Sequence, residues 1–158
     1  MRWTGSLRPL SLFYARTLHH LDRAVFRLSS GRATFSAWAA GLPVVMLETT
    51  GARSGQLRTL PVLGFPEDED VVVVASNYGQ KRHPGWYHNL KANPRGRVTL
   101  NGVARDIQAS VVTDPAERER LFAEIGRSVI LVSAYRRHTD RVGREIPILR
   151  LRPVVKPS

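Results

Sequence analysis

Residues 44–76 read VVMLETTGARSGQLRTLPVLGFPEDEDVVVVAS. Three runs rich in β-branched and other apolar residues, Val44 to Thr49, Leu57 to Phe65 and Val71 to Ser76, are separated by Thr50 to Gly55 and by Pro66 to Asp70. Both joins are built from the glycine, proline, serine and acidic residues that turns use. Joins this short connect antiparallel neighbours, so the stretch predicts a three-stranded meander.

Downstream, Asn77 to His83 reads as a polar loop, and Pro84 opens a short helix that ends before Asn93-Pro94. Arg97 to Leu100 and Val103 to Val112 flank Asn101-Gly102, a strong hairpin signal. Asp114-Pro115-Ala116-Glu117 combines an N-cap, a first-turn proline and a capping-box acid, which predicts a helix from there toward Arg136. After the breaker Gly143, Glu145 to Leu151 reads as a sixth strand, with Pro147 suiting an edge or a bulge. Six antiparallel strands with few helices make a mainly β (α+β) fold, a small barrel or strongly curled sheet. Upstream, Leu10, Phe13/Tyr14, Leu18, Leu21, Val25 and Leu28 recur at helical steps, while Arg16, His20, Arg23 and Arg27 occupy other faces. This is an amphipathic helix with a basic side, ended by Ser29-Ser30-Gly31. The domain reading is therefore residues 1–43 as N-terminal helix and connector, 44–153 as the barrel domain and 154–158 as a tail.

With 158 residues and no cysteine, the chain fits one barrel domain and excludes disulfides, thiolate metal sites, iron-sulfur clusters and thiol nucleophiles. The formal net charge of +11 attracts polyanions: nucleic acid, an anionic membrane face, or a phosphorylated or polycarboxylate small molecule. No stretch reaches the roughly 18 uninterrupted apolar residues that cross a bilayer, and the expected location is the cytoplasm. The histidine pairs His19/His20 and His83/His88 are adjacent and five apart, so neither converges on a metal from an ideal helix, and no metal is expected. Neither a Walker motif nor a GxSxG elbow is present.

Two constellations carry chemistry. Thr49, Thr50, Arg53, Ser54 and Arg58 surround Gly51 and Gly55, so a turn between strands can offer hydroxyls, backbone N–H groups and guanidinium forks to one anion. The competing reading is a plain hairpin with solvated arginines. In Ser76 to Asn89, Trp86 and Tyr87 can stack on a planar ring while Ser76, Asn77 and Asn89 hydrogen-bond its edge. The competing reading is that Trp86 fills the core and Tyr87 lies on the surface.

Four motifs, in order, resemble the deazaflavin-dependent nitroreductase and quinone reductase family: Thr49 to Pro61, Ala75-Ser76-Asn77 with Gly79, His83 to Pro94, and Arg144-Glu145-Ile146-Pro147. The resemblance implies a split β-barrel of the FMN-binding-like kind, with an N-terminal amphipathic helix and flanking helices, that uses coenzyme F420 (8-hydroxy-5-deazaflavin). It implies that Arg53, Ser54 and Arg58 hold the phosphate and the start of the oligoglutamate tail, with Ala52 beside them in the coenzyme site. Thr59, Leu60, Pro61, Val62, Leu63, Val74, Ala75, Ser76, Asn77, Gly85, Trp86, Tyr87, His88 and Asn89 would line the ring. Ser76, Tyr78 and Tyr135 would orient the acceptor as catalytic residues. The implied activity is hydride transfer from the reduced coenzyme to a quinone, nitro compound or activated double bond. Ala52 stands where many relatives have a basic residue, and Tyr78 where a glycine is usual, so substrate choice does not transfer. Two alternatives stay open at this point: a split barrel that binds FMN or a tetrapyrrole without F420 turnover, and a basic nucleic-acid-binding module. The second lacks any recognised motif, and nucleic acid is not the expected partner. Expected partners are a quinone-like acceptor, an anionic membrane touched peripherally by the N-terminal helix, and a second copy in a homodimer.

Overall fold

The computed structural model describes residues 44–77, 80–128, 136–137, 139–141 and 143–155. The chain divides into two units, residues 1–41 and 42–158, and all described residues belong to the second. The readings of the N-terminal helix and connector, of Tyr78 and of Tyr135 lie outside the described residues.

The elements run β1 (Val44–Thr50), β2 (Leu57–Glu67), β3 (Asp70–Val74), α1 (Gly85–Ala92), β4 (Arg95–Leu100), β5 (Val103–Val111), α2 (Pro115–Ser128) and β6 (Ile148–Pro153). The strands form a closed barrel in the order β1-β2-β3-β6-β5-β4, sealed by β1 against β4, with every pair antiparallel. The expected meander β1-β2-β3 is present. Its second strand is unequally flanked: β2 pairs with β1 from Leu57 to Leu63, but β3 joins it only from Gly64. Residues 57–63 therefore have a strand on one side alone among the described residues, a place where Pro61, which lacks an N–H, is tolerated.

Two apolar clusters hold the fold. Val45, Leu47, Val62, Val71, Val73, Val98, Ile107, Leu149 and Leu151 fill the barrel, joined by Trp86, Tyr87 and Leu90 from α1. Val72, Val74 and Ile148 form the other cluster with Leu121, Phe122 and Ile125 of α2. β3 is thus buried on both faces, which is why Val71 to Val74 shows no alternation. Ionic contacts fasten α2 to the barrel wall: Glu67 lies 2.6 Å from both Arg120 and Arg150, and Arg150 lies 2.6 Å from Glu117. The predicted cap forms, with the Glu117 N–H donating to Asp114 Oδ2 at 2.8 Å. Asn101 (φ 51°) and Gly102 (φ 80°) make the expected hairpin turn with both residues left-handed.

Several strand boundaries differ from the sequence reading by one to three residues, and two of them set the ends of β3 and β6. β3 stops at Val74 rather than Ser76, and β6 starts at Ile148 rather than Glu145. Pro147 lies outside the ladder, where its carbonyl accepts the Ala75 N–H at 2.9 Å. Nor is β6 an edge, since β3 and β5 pair with its two sides. Barrel closure surrounds the strand, and its prolines are consigned to its ends, where a missing N–H breaks no ladder bond.

Candidate active site

The β1–β2 turn is closed by its own backbone. The Gly51 N–H donates to Gln56 O at 2.8 Å and the Gly55 N–H to Gly51 O at 2.9 Å, while the Ser54 hydroxyl accepts the Gln56 N–H at 3.2 Å. A Cβ on Gly51 would stand 2.5 Å from Ser54 Oγ and 3.2 Å from Gln56 O, so any larger residue there displaces the Ser54 hydroxyl and presses on the Gln56 carbonyl. α1 then grips the turn through one side chain. Asn89 Oδ1 accepts the Ala52 N–H at 2.9 Å, and Asn89 Nδ2 donates to the buried Thr49 hydroxyl at 3.0 Å.

Between turn and helix lies a cavity of about 550 Å³ lined by Gly51, Ala52, Arg53, Ser54, Arg58, Gly85, His88 and Asn89. Arg53 and Arg58 are exposed, and neither takes part in an ion pair among the described residues. Two guanidinium groups with no ion-pair partner among the described residues, beside a serine hydroxyl, offer donors suited to an anion with several oxygens.

Beyond β3 the chain turns through Ser76 and Asn77 toward α1. Asn77 is left-handed (φ 46°), its Nδ2 donates to Arg82 O at 2.8 Å, and its carbonyl accepts the Gln80 N–H at 3.1 Å. Arg144, only 7% exposed, runs beneath this segment. Its Nη1 donates to Ser76 O at 3.0 Å and to Gln80 O, its Nη2 to Ala75 O, and its Nε to His83 Nδ1 at 3.1 Å. An imidazole nitrogen that accepts a bond carries no proton, so His83 is neutral with its hydrogen on Nε2. Burial, then the nearby charges of Arg144, His88 and Lys91, hold the His83 pKa below its ordinary value.

Of the residues singled out from sequence, Ala52, Arg53, Ser54, Arg58, Gly85, His88 and Asn89 surround one cavity. Thr59, Leu60 and Pro61 continue along the half-flanked part of β2, with Leu60 packed on the barrel interior. Ser76 and Asn77 are half-buried at the end of β3. Val62, Ala75, Trp86 and Tyr87 belong to the barrel interior, whereas Leu63 and Val74 pack in the cluster under α2. Tyr87 is therefore buried beside Trp86 rather than on the surface. The His83 and His88 rings meet with centroids 6.0 Å apart, because His83 precedes α1 instead of lying on it.

The sequence profile of the F420H(2)-dependent quinone reductases matches residues 20–153. The chain belongs to this family. An F420H(2)-dependent quinone reductase of Mycobacterium tuberculosis is 32% identical over 134 residues, which span 84% of this chain and 87% of the relative. The solved F420-H2 dependent reductase FDR-A is 33% identical, covering 69% of this chain and 93% of its own, with a TM-score of 0.61. A solved domain-swapped dimer is 28% identical over 90% of this chain and 98% of its own, with a TM-score of 0.63. As a member of the F420H(2)-dependent quinone reductases, the chain is an oxidoreductase with the split-barrel fold, and coenzyme F420 is its cofactor. The site fits a polyanionic coenzyme: its cavity is open, and it is flanked by Arg53 and Arg58 with no acidic side chain in its lining. Arg144 lies within the family's last motif, but the motif gives it no task. A lone arginine next to a glycine breaker was the available signal, and it says nothing about what the guanidinium reaches.

Proposed function

We propose that the chain reduces a quinone, with coenzyme F420 seated between the β1–β2 turn and α1. The observation that carries this reading is the cavity lined by two arginines that have no ion-pair partner among the described residues. Arg53, Ser54 and Arg58 bind the phosphate and the first carboxylates of the tail, while the Asn89 tether keeps the turn at a constant distance from α1. The open flank of Thr59 to Leu63, with Ser76, Asn77, Gly85 and His88, borders the ring. The buried Val62, Leu63, Val74, Ala75, Trp86 and Tyr87 support these residues from behind. When bound, the coenzyme supplies a hydride from a ring carbon, and a quinone that takes the hydride with a proton becomes the quinol. No acid-base pair is required of the protein. Its contribution is orientation of the two reactants and exclusion of water, and Ser76, Tyr78 and Tyr135 orient the acceptor.

The net charge of +11 supports the same reading, because it raises the encounter rate of a polyanionic ligand. Among the described residues no helix is long and apolar enough to cross a membrane. The basic amphipathic pattern of residues 7–28 supports a cytoplasmic enzyme that touches an anionic bilayer peripherally, where lipid-soluble quinones reside. The similarity to a domain-swapped dimer supports a homodimer.

Titration with oxidised coenzyme F420 followed by fluorescence, then reduced coenzyme with menadione followed by recovery of the oxidised absorbance, tests the proposal. Binding and turnover are the expected results. Absence of binding by either redox form refutes the site, and binding without oxidation by any quinone refutes the acceptor. Co-sedimentation with anionic liposomes before and after deletion of residues 1–30 tests the membrane contact, and equal pelleting refutes it.

A further inference from the structure

We infer that Arg144 is a positioning residue of this enzyme: through the carbonyls of Ala75, Ser76 and Gln80 and the ring of His83, it holds the segment between β3 and α1 in its working conformation. This rests on the reading that the coenzyme ring and the acceptor meet beside that segment.

The argument begins with an unfavourable burial. A guanidinium withdrawn from water without a carboxylate partner is destabilising unless its donors are satisfied, and among the described residues the hydrogen-bond partners of Arg144 include no carboxylate. Burial accordingly pulls its pKa down. An apolar side chain of the same volume would fill the space without that penalty, so the charge and its fork have another use. That use is visible in the bonding. Three nitrogens of one planar group reach four acceptors on Ala75, Ser76, Gln80 and His83, a wedge that ties the end of β3 to the approach to α1. Lysine has one ammonium and cannot span these acceptors.

Arg144 is itself set from below. Gly143 adopts φ 72°, its N–H donates to Asp140 O at 3.2 Å, and the Arg144 N–H donates to Thr139 O at 2.9 Å. On the other side, the Pro147 carbonyl takes the Ala75 N–H. The segment so held carries Ser76 and the left-handed Asn77, and it runs through His83 into Pro84, the N-cap of α1. α1 in turn presents Gly85, His88 and Asn89 to the cavity. Arg144 lines no part of that cavity, so its influence is exerted through the residues it holds.

Arg144→Lys and Arg144→Met test the inference in the full chain. Hydrogen exchange of the ligand-free protein is expected to show peptides from 75–83 exchanging at least tenfold faster, with β4 and β5 unchanged. Affinity for 8-hydroxy-5-deazariboflavin, the ring without phosphate or tail, is expected to fall about tenfold, with a matching loss of kcat for menadione. Arg58→Ala is expected to do the opposite, weakening the intact coenzyme and sparing the fragment. Unchanged protection over 75–83 in a folded Arg144→Lys variant overturns the inference. So does faster exchange with unaltered fragment affinity and kcat, which makes Arg144 a structural residue only. If both variants fail to fold, Gly143→Ala keeps the guanidinium and strains its approach. Loop-specific loss of protection with a lower kcat then supports the inference, and wild-type values in either overturn it. Wild-type protein that binds neither coenzyme nor fragment refutes the site itself, a result separate from any effect of Arg144.

Discussion

Asn89→Ala removes both ends of the tether between α1 and the β1–β2 turn. The bond from the Ala52 N–H lies at an exposed turn, where water replaces the lost acceptor, and is worth about 0.5 kcal/mol. The bond to Thr49 Oγ1 is half-buried, and its loss leaves the hydroxyl of a residue only 1% exposed without this donor, a cost of about 1 to 1.5 kcal/mol. Alanine is the better helix former and returns about 0.5 kcal/mol within α1. The net destabilisation is then about 1 to 1.5 kcal/mol, equivalent to a fall in Tm of about 3 to 5 °C for a chain of this size. Urea unfolding of Asn89→Ala, Thr49→Val and the double variant isolates the shared bond. A coupling energy of about 1 kcal/mol is expected, because removal of both partners leaves no orphaned hydroxyl. Additive effects, within about 0.3 kcal/mol, would refute the tether as the device that positions the turn. The single variant is also expected to weaken coenzyme binding, since Ala52 to Ser54 lose their fixed distance from His88.

Arg58→Ala is expected to weaken coenzyme F420 by about 1.5 to 3 kcal/mol, as for one charge-assisted bond, with Tm unchanged because the side chain is exposed; isothermal titration and thermal unfolding check the two halves. His83 has a folded-state pKa below its ordinary 6.5, so its contribution to stability is complete above that pH and is lost as pH falls through the lowered value. Urea unfolding from about pH 7.5 to about pH 5 is expected to show a shallower decline in His83→Gln than in wild type, and parallel curves would contradict the neutral assignment. At Glu67, burial works to raise the pKa, but bonds and charges from Arg120 and Arg150 outweigh it and hold the carboxyl below 4.5. Its stabilisation is present above pH 4.5 and disappears as acid titrates it through the lowered value. Glu67→Gln is accordingly expected to be less stable than wild type at neutral pH by about 1 to 2 kcal/mol, with the difference vanishing by about pH 3 in acid-unfolding curves.

Local chemistry accounts for what was legible before the structure. Runs rich in β-branched and other apolar residues, with a glycine-containing join between them, specify β1 and β2, Asn101-Gly102 specifies the hairpin, and Asp114 to Glu117 specifies the start of α2, because each signal acts within a few residues of itself. Arg53 and Arg58 were legible for the same reason, as they lie in one short stretch, Arg53 in the turn and Arg58 at the start of β2. Pro147 left β6 open between an edge and a bulge, because flanking by β3 and β5 depends on barrel closure, which no local run of residues encodes. Tyr87 was open between core and surface until α1 packed against the barrel.

The order and type of the strands, the family motifs and the polycationic turn are properties of the chain as written, since propensity, turn chemistry and charge are carried by neighbours in sequence. The Asn89 tether spans 37 and 40 residues, and the Arg144 wedge spans 61 to 69. Only closure of the barrel brings those partners within hydrogen-bonding distance, because a bond across so long a loop forms after packing has already offset the entropy of bringing its ends together.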